Sequence, residues 1–132
     1  MKQFLCDVIV KTPQISQDEI ASLLGICASD VIRKKDVNDV NYNCDTILWL
    51  LINITSQTTS IGAWLVSITN ALSNRDSEAL INRGITLILS CGTMYDTYTG
   101  SIQFESEEVA MMAALGASID LSWYPTKFSN GQ

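Results

Sequence analysis

The feature that most constrains the fold is a short run, Thr46–Ile54, in which seven of nine residues are apolar. A helix needs about 20 residues to span a membrane, so this run is too short, and polar residues flank it on both sides. Short apolar runs rich in β-branched and aromatic side chains are typical of strands covered on both faces. We therefore predict a strand at 46–54, near the middle of a sheet, with both of its faces covered.

Hydrophobic spacing elsewhere predicts four more strands and four helices. Alternation of apolar and polar residues indicates the strands, and helical spacing with capping residues indicates the helices. The predicted strands are 4–11, 85–91, 101–104 and 117–124, and the predicted helices are 16–25, 60–73, 77–83 and 106–116. We interpret 26–36 as a connector and 92–100 as a loop or wide hairpin.

This order, β-α-β-α-α-β-β-α-β, is typical of an α+β fold. We predict a single-layer, mainly antiparallel sheet of about five strands, with the helices packed on one face and the other face mainly open. Residues 1–124 form the single predicted domain, and residues 125–132 form a polar C-terminal tail.

Charge and composition limit the partners that the chain can have. Its 132 residues are 47% hydrophobic and 17% charged, as in folded soluble proteins. Fourteen acidic against eight basic residues give a net charge of −6, whereas phosphate contacts need a surplus of Lys and Arg. We predict a protein partner, such as a basic toxin domain, and neither a nucleic-acid nor a membrane partner. The oligomeric state stays open.

The chain contains no histidine, which excludes histidine-based nucleophile pairs and imidazole zinc sites. Its four cysteines form no CxxC pair, the usual arrangement of cysteine metal ligands, so we predict no metal site and no cofactor.

The apolar run after Met1-Lys2 is interrupted by Asp7 and does not read as a secretion signal. We therefore expect four reduced cysteines and a cytoplasmic location. The cysteines are Cys6, Cys27, Cys44 and Cys91.

Two carboxylates and a tyrosine-rich segment are candidate site residues. Asp7 and Asp120 fall on the less apolar faces of the first and last strands, and are neighbours if those strands pair. A close carboxylate pair can do acid–base chemistry, but such residues also keep an exposed sheet face polar. Tyr95, Asp96 and Tyr98 offer aromatic rings and a carboxylate for recognition, or form a plain hairpin tip.

Apolar residues of the predicted open sheet face complete the candidate partner surface. Leu5, Ile9, Ile88 and Tyr124 fall on this face by alternation. The two aspartates rim the patch, and a patch of this kind suits burial against a basic partner.

Two stretches carry a family resemblance. One is Glu19-Ile-Ala-Ser-Leu-Leu-Gly25, followed by Ser29, Arg33-Lys34-Lys35-Asp36 and a tryptophan-bearing strand; the other is Met112-Ala-Ala-Leu-Gly-Ala-Ser-Ile-Asp-Leu-Ser-Trp-Tyr124. These stretches resemble a small bacterial family labelled domain of unknown function 4279, and the resemblance covers nearly the whole chain. Lys35 stands where the pattern of that family has glycine. The resemblance implies an α+β fold and supplies no catalytic residues. Small size and acidity also resemble immunity proteins that neutralise toxins.

We predict a non-enzymatic protein-binding module of the immunity or antitoxin type, which neutralises a cognate bacterial toxin by direct binding. Two alternatives stay open. One is a small-molecule-binding or regulatory α+β domain, and the other is an enzyme that uses carboxylates alone.

Overall fold

The computed structural model describes residues 3–34, 46–54, 56–58, 60–95 and 103–125, and within them the predicted α+β class is confirmed. Six strands and four helices follow one another in the order β-α-β-β-β-α-α-β-α-β. The strands are β1 (Gln3–Thr12), β2 (Val31–Arg33), β3 (Ile47–Leu51), β4 (Ser56–Thr58), β5 (Thr86–Tyr95) and β6 (Ala117–Pro125). The helices are α1 (Gln17–Leu24), α2 (Ile61–Ala71), α3 (Ser77–Asn82) and α4 (Ser106–Leu115).

The strands form one sheet in the order β2-β3-β1-β5-β6, and β4 also pairs with β1. β3 and β4 lie end to end along the same edge of β1, because β3 pairs with residues 9–12 of β1 and β4 pairs with residues 4–6. The sheet is therefore five strands wide. Every pair is antiparallel except β5–β6, which is parallel. The connection between these two strands contains α4, as a parallel crossover requires.

The prediction that 46–54 forms a central strand covered on both faces is wrong in two respects. The middle of the sheet is β1, and β3 lies one strand from the edge. Trp49 and Leu51 are buried, but Leu48 and Leu50 on the other face are half-buried. The run also ends in a 3₁₀ turn at Ile52–Ile54. This turn connects β3 to β4, and so it lies beside the part of β1 between the residues that pair with β3 and those that pair with β4.

A hydrogen bond fixes that turn. Trp64 in α2 donates from Nε1 to the carbonyl oxygen of Ile54 over 2.7 Å, in a buried position. Trp49 similarly donates from Nε1 to Thr12 Oγ1 over 3.0 Å. Both indoles thus bury their rings without leaving a polar N–H unsatisfied.

Three other boundaries differ from the prediction. The connector contains β2, which is too short at three residues to give an alternation signal. Residues 92–95 continue β5 instead of opening a loop, and Gly92 is buried there, opposite Leu5. Residues 103–104 of the predicted strand 101–104 lead into α4 without strand structure, and 101–102 lie outside the described residues.

The helix ends follow the predicted capping pattern closely. Ser16 Oγ accepts from the Glu19 amide at 3.1 Å, and Gly25 ends α1 with φ 72°. In α4 the N-cap is Glu105, one residue before the predicted Ser106, and Glu108 closes its capping box. Val109 is half exposed, and Leu115 is the buried residue of α4.

One hydrophobic core lies between the helices and one face of the sheet. The inward residues of the strands alternate, so that every second side chain meets a helix. From the strands the core includes Cys6, Val8, Val10, Val31, Trp49, Leu51, Leu87, Leu89 and Cys91; from the helices it includes Ile20, Leu24, Trp64, Leu65, Ile68, Leu80 and Leu115.

This burial leads to a thiol prediction. Cys6 and Cys91 are 1% and 0% exposed, whereas Cys27 is exposed. In protein prepared from a reducing cytosol, a thiol reagent should label four cysteines after denaturation, Cys27 rapidly in the native state, and Cys6 and Cys91 slowly. Time-resolved labelling with peptide mass spectrometry measures this, and a stoichiometric disulfide in the fresh reduced protein would contradict it.

Candidate partner-binding face

The sheet face opposite the helices carries the candidate site, and we call it the open face. Its side chains are the alternate residues of each strand that do not enter the core. The described members include Leu5, Asp7, Ile9 and Lys11 in β1, Ile32 in β2, Leu48 and Leu50 in β3, Thr86, Ile88 and Ser90 in β5, and Ser118, Asp120 and Ser122 in β6.

An apolar row crosses the open face. Ile32 lies in register with Leu50, Leu50 with Ile9, and Ile9 with Ile88. With strands about 4.8 Å apart, these four side chains form a row about 14 Å long. Ile32 is 43% exposed and the other three are half-buried. Leu5, which is 45% exposed, lies further along β1, beyond Asp7, and so it is not part of this row.

Asp7 and Asp120 lie in the next row but are not direct neighbours. Ser90 of β5 separates them, in register with Asp7 on one side and with Asp120 on the other. Their backbones are thus two strand spacings apart, about 10 Å. The possibility that they adjoin through direct strand pairing is therefore excluded, because β5 lies between β1 and β6. We call Asp7, Ser90 and Asp120 the acidic row.

A basic residue lies on the other side of the apolar row. Lys11 is exposed and in register with Leu48 and Thr86. Along β1 the sequence Asp7, Ile9, Lys11 thus places a carboxylate, an apolar side chain and an ammonium at successive positions of one face. The open face is therefore polarised along its strands. Asp7 and Asp120 lie on one side of the apolar row, and Lys11 lies on the other side.

The predicted tyrosine residues are described only in part. Tyr124 is in register with Met94, and Tyr95 is in register with Pro125, at the end of the parallel pair. Only the backbones of these two residues belong to the described part of the chain, and Asp96 and Tyr98 lie outside it. Their role in partner binding stays a prediction.

A cysteine pair lies directly behind the acidic row, on the covered face. Cys6 and Cys91 are register partners, with Sγ atoms 3.6 Å apart. The hydrogen bond between the two thiols lowers the pKa of Cys6. The same hydrogen bond, together with burial, raises the pKa of the Cys91 thiol. Alternation predicted that both residues face the core, but no sequence signal pairs cysteines separated by 85 positions.

An open cleft of about 420 Å³ lies at the sheet end where β1 finishes and β5 begins. Its cations are Lys11 and Arg83. Arg83 pairs with the Glu19 carboxylate at 2.6 Å, so this guanidinium is already partly neutralised. The remaining lining is formed by Thr12, Pro13, Thr46, Gly84 and Thr86.

Two further findings bear on the kind of protein. Within the described residues, no helix has both the length and the apolar character needed to cross a membrane. Comparison of the chain with protein-family models, with curated proteins and with solved structures gives no match.

Proposed function

We propose that this chain is a non-enzymatic protein-binding module of the immunity or antitoxin type, acting in the bacterial cytoplasm. It would neutralise a cognate toxin by direct binding through the open face. The observation that carries the proposal is the apolar row of Ile32, Leu50, Ile9 and Ile88 beside the acidic row.

The chemistry of these two rows defines the partner. Apolar side chains grouped on a face without helices favour burial against another protein, and each Å² removed from water contributes about 25 cal/mol. Asp7 and Asp120 lie on strands separated by β5. They favour a partner whose basic side chains lie to one side of its apolar contact surface. The partner is therefore a basic protein surface with an exposed apolar centre.

Net charge supports the same partner through association kinetics. A chain of net charge −6 attracts a basic protein over distances beyond contact. The resemblance to domain of unknown function 4279 adds an α+β fold to this proposal and no catalytic residue. The bacterial setting comes from that resemblance.

The separation of the aspartates weighs against the carboxylate-enzyme alternative. Acid–base pairs depend on repulsion between close carboxylates to separate their pKa values. Asp7 and Asp120 are about two strand spacings apart, roughly 10 Å, with Ser90 between them. The arrangement suits a charged recognition surface better than a shared proton.

The cleft beside Lys11 favours a second candidate, a small-molecule-binding domain. Its volume of about 420 Å³ lies within the range of ligand pockets, about 300–1,000 Å³, and the exposed Thr86 hydroxyl and Lys11 suit a small anion. A rise in melting temperature with phosphate or a dicarboxylate, lost in Lys11→Ala, would support this candidate, because a ligand stabilises the state that it binds.

Reversing the charge of the acidic row should slow partner association. For Asp7→Lys/Asp120→Lys we expect the association rate constant for a candidate toxin, taken from the genes that neighbour this one, to fall roughly tenfold or more at low salt, because electrostatic steering raises association rates by about 10–10³-fold. The difference should shrink at 1 M salt, where the screening length falls from about 10 Å at 0.1 M to about 3 Å. Surface plasmon resonance across a salt series measures both.

The matched control reverses two exposed acids on the helical side, Asp18→Lys/Glu107→Lys, which changes net charge equally. An equal rate loss in the control would show that net charge steers the partner and that the acidic row does not.

A third variant, Ile9→Ser, should speed dissociation and leave association nearly unchanged. Survival of cells that express the candidate toxin, with and without this chain, tests neutralisation itself. Equal killing of the two cell populations would refute the proposed function.

A further inference from the structure

We propose that Cys6 and Cys91 are an oxidation site, where hydrogen peroxide converts two buried thiols into a disulfide that joins β1 to β5. The inference does not depend on the proposed function. It rests on the cross-strand register of the two residues and on the contact between their sulfur atoms.

The geometry suits disulfide formation. Directly opposed residues of an antiparallel pair have Cα atoms about 4.5–5.5 Å apart, within the range of about 4.4–6.8 Å that disulfides span. The two Sγ atoms are 3.6 Å apart and must approach to about 2.05 Å. Adjustment of side-chain torsions and a small approach of the strands supply this movement, without a change of register.

The reaction balances with one equivalent of peroxide. The Cys6 thiolate attacks one oxygen of hydrogen peroxide, the O–O bond breaks, and water leaves with the thiol proton, which yields a sulfenic acid on Cys6. The Cys91 sulfur then attacks Cys6 Sγ and displaces a second water. In total, two thiols and hydrogen peroxide become one disulfide and two waters.

The order of these steps follows from the thiol pair. The hydrogen bond between the two thiols lowers the pKa of Cys6. The same hydrogen bond, and after it burial, raises the pKa of the Cys91 thiol. We therefore assign the attack on peroxide to Cys6 and the resolving step to Cys91.

We expect peroxide to reach the pair through β4. Cys6 lies in register with Ser56 in this three-residue strand at the sheet edge. A strand with so few hydrogen bonds opens at low free-energy cost compared with global unfolding. Hydrogen peroxide is uncharged and close to water in size, so such an opening admits it more readily than it admits larger thiol reagents.

The test uses the full-length chain with Cys27→Ser and Cys44→Ser, so that the pair alone remains. After reduction, desalting and exposure to hydrogen peroxide, we expect the intact mass to fall by two hydrogen atoms and the free thiols of the denatured protein to fall from two to none. Peptide mapping without reductant should show the Cys6–Cys91 link. The midpoint of guanidinium unfolding should rise, because the bond closes a loop of 85 residues in the unfolded chain.

Single variants separate the two roles. Cys91→Ser should stop at a sulfenic acid on Cys6 that dimedone traps, and Cys6→Ser should remain largely unoxidised under the same conditions. Retention of both thiols at peroxide concentrations that oxidise Cys27 in the natural sequence would overturn the proposal. So would masses increased by added oxygen alone, or covalent dimers in place of the internal link. The peptide mapping keeps both Cys6 and Cys91. It therefore tests whether the disulfide forms even if one of the single variants fails to fold.

Discussion

Truncation of Leu51 to alanine should lower the free energy of unfolding by roughly 2–5 kcal/mol, the usual cost of such a change in a packed core. Leu51 is 0% exposed and lies in β3 opposite Val31, which is also fully buried. The change removes buried methyl groups and leaves a cavity between β2, β3 and the helices. Urea unfolding followed by circular dichroism measures the loss.

The preceding residue supplies the control. Leu50 has the same side chain in the same strand, but it lies on the open face and is half-buried. Leu50→Ala should cost about 1 kcal/mol, since it removes only partly buried surface. The sequence analysis predicted cover on both faces of this strand, which would give Leu50→Ala a large penalty as well. Equal losses for the two variants would contradict an open sheet face and restore that expectation.

Replacement of Gly25 by alanine should cost roughly 2–5 kcal/mol, as the sum of backbone strain and overpacking. Gly25 ends α1 with φ 72°, a conformation that costs a residue with a Cβ atom about 1–2 kcal/mol. A Cβ atom at this position would also come within 2.8 Å of the Asn74 carbonyl group. That contact is with main chain, so it cannot be relieved by a change of rotamer.

Gly84 separates the two contributions. Its φ is 70°, almost identical to that of Gly25, but no atom lies within 4 Å of an added Cβ. Gly84→Ala should therefore cost only the conformational part, about 1–2 kcal/mol. Thermal and urea unfolding of both variants give the difference. A Gly25 variant no less stable than the Gly84 variant would show that the chain near Asn74 yields at little cost.

Local signals predicted the helices because capping and helical spacing act within a few residues. Ser16 and Gly25 illustrate this, since a hydroxyl at the N-cap and a left-handed glycine after the last turn define α1 almost alone. The short strands carried no comparable signal. β2 and β4 have three residues each and acquire strand structure by pairing with β3 and β1, which is a tertiary effect.

The candidate site was predictable residue by residue but not as an arrangement. Alternation correctly placed Asp7 and Asp120 away from the core side of their strands. Their separation by Ser90 depends on the insertion of β5 between β1 and β6, and pairing partners so distant in sequence leave no local pattern. The contact between Cys6 and Cys91 escaped prediction for the same reason.

The central place of β1 has a consequence for synthesis on the ribosome. β1 is translated first among the strands, and its first edge can be paired once β3 and β4 have followed. Its other edge waits for β5, which arrives roughly 4–15 s after β1 at translation rates of about 5–20 residues per second. During that interval the nascent chain carries an unpaired edge of alternating apolar residues, a template for wrong pairing between neighbouring chains. Slower elongation between residues 60 and 85 should therefore lower the yield of correctly folded protein.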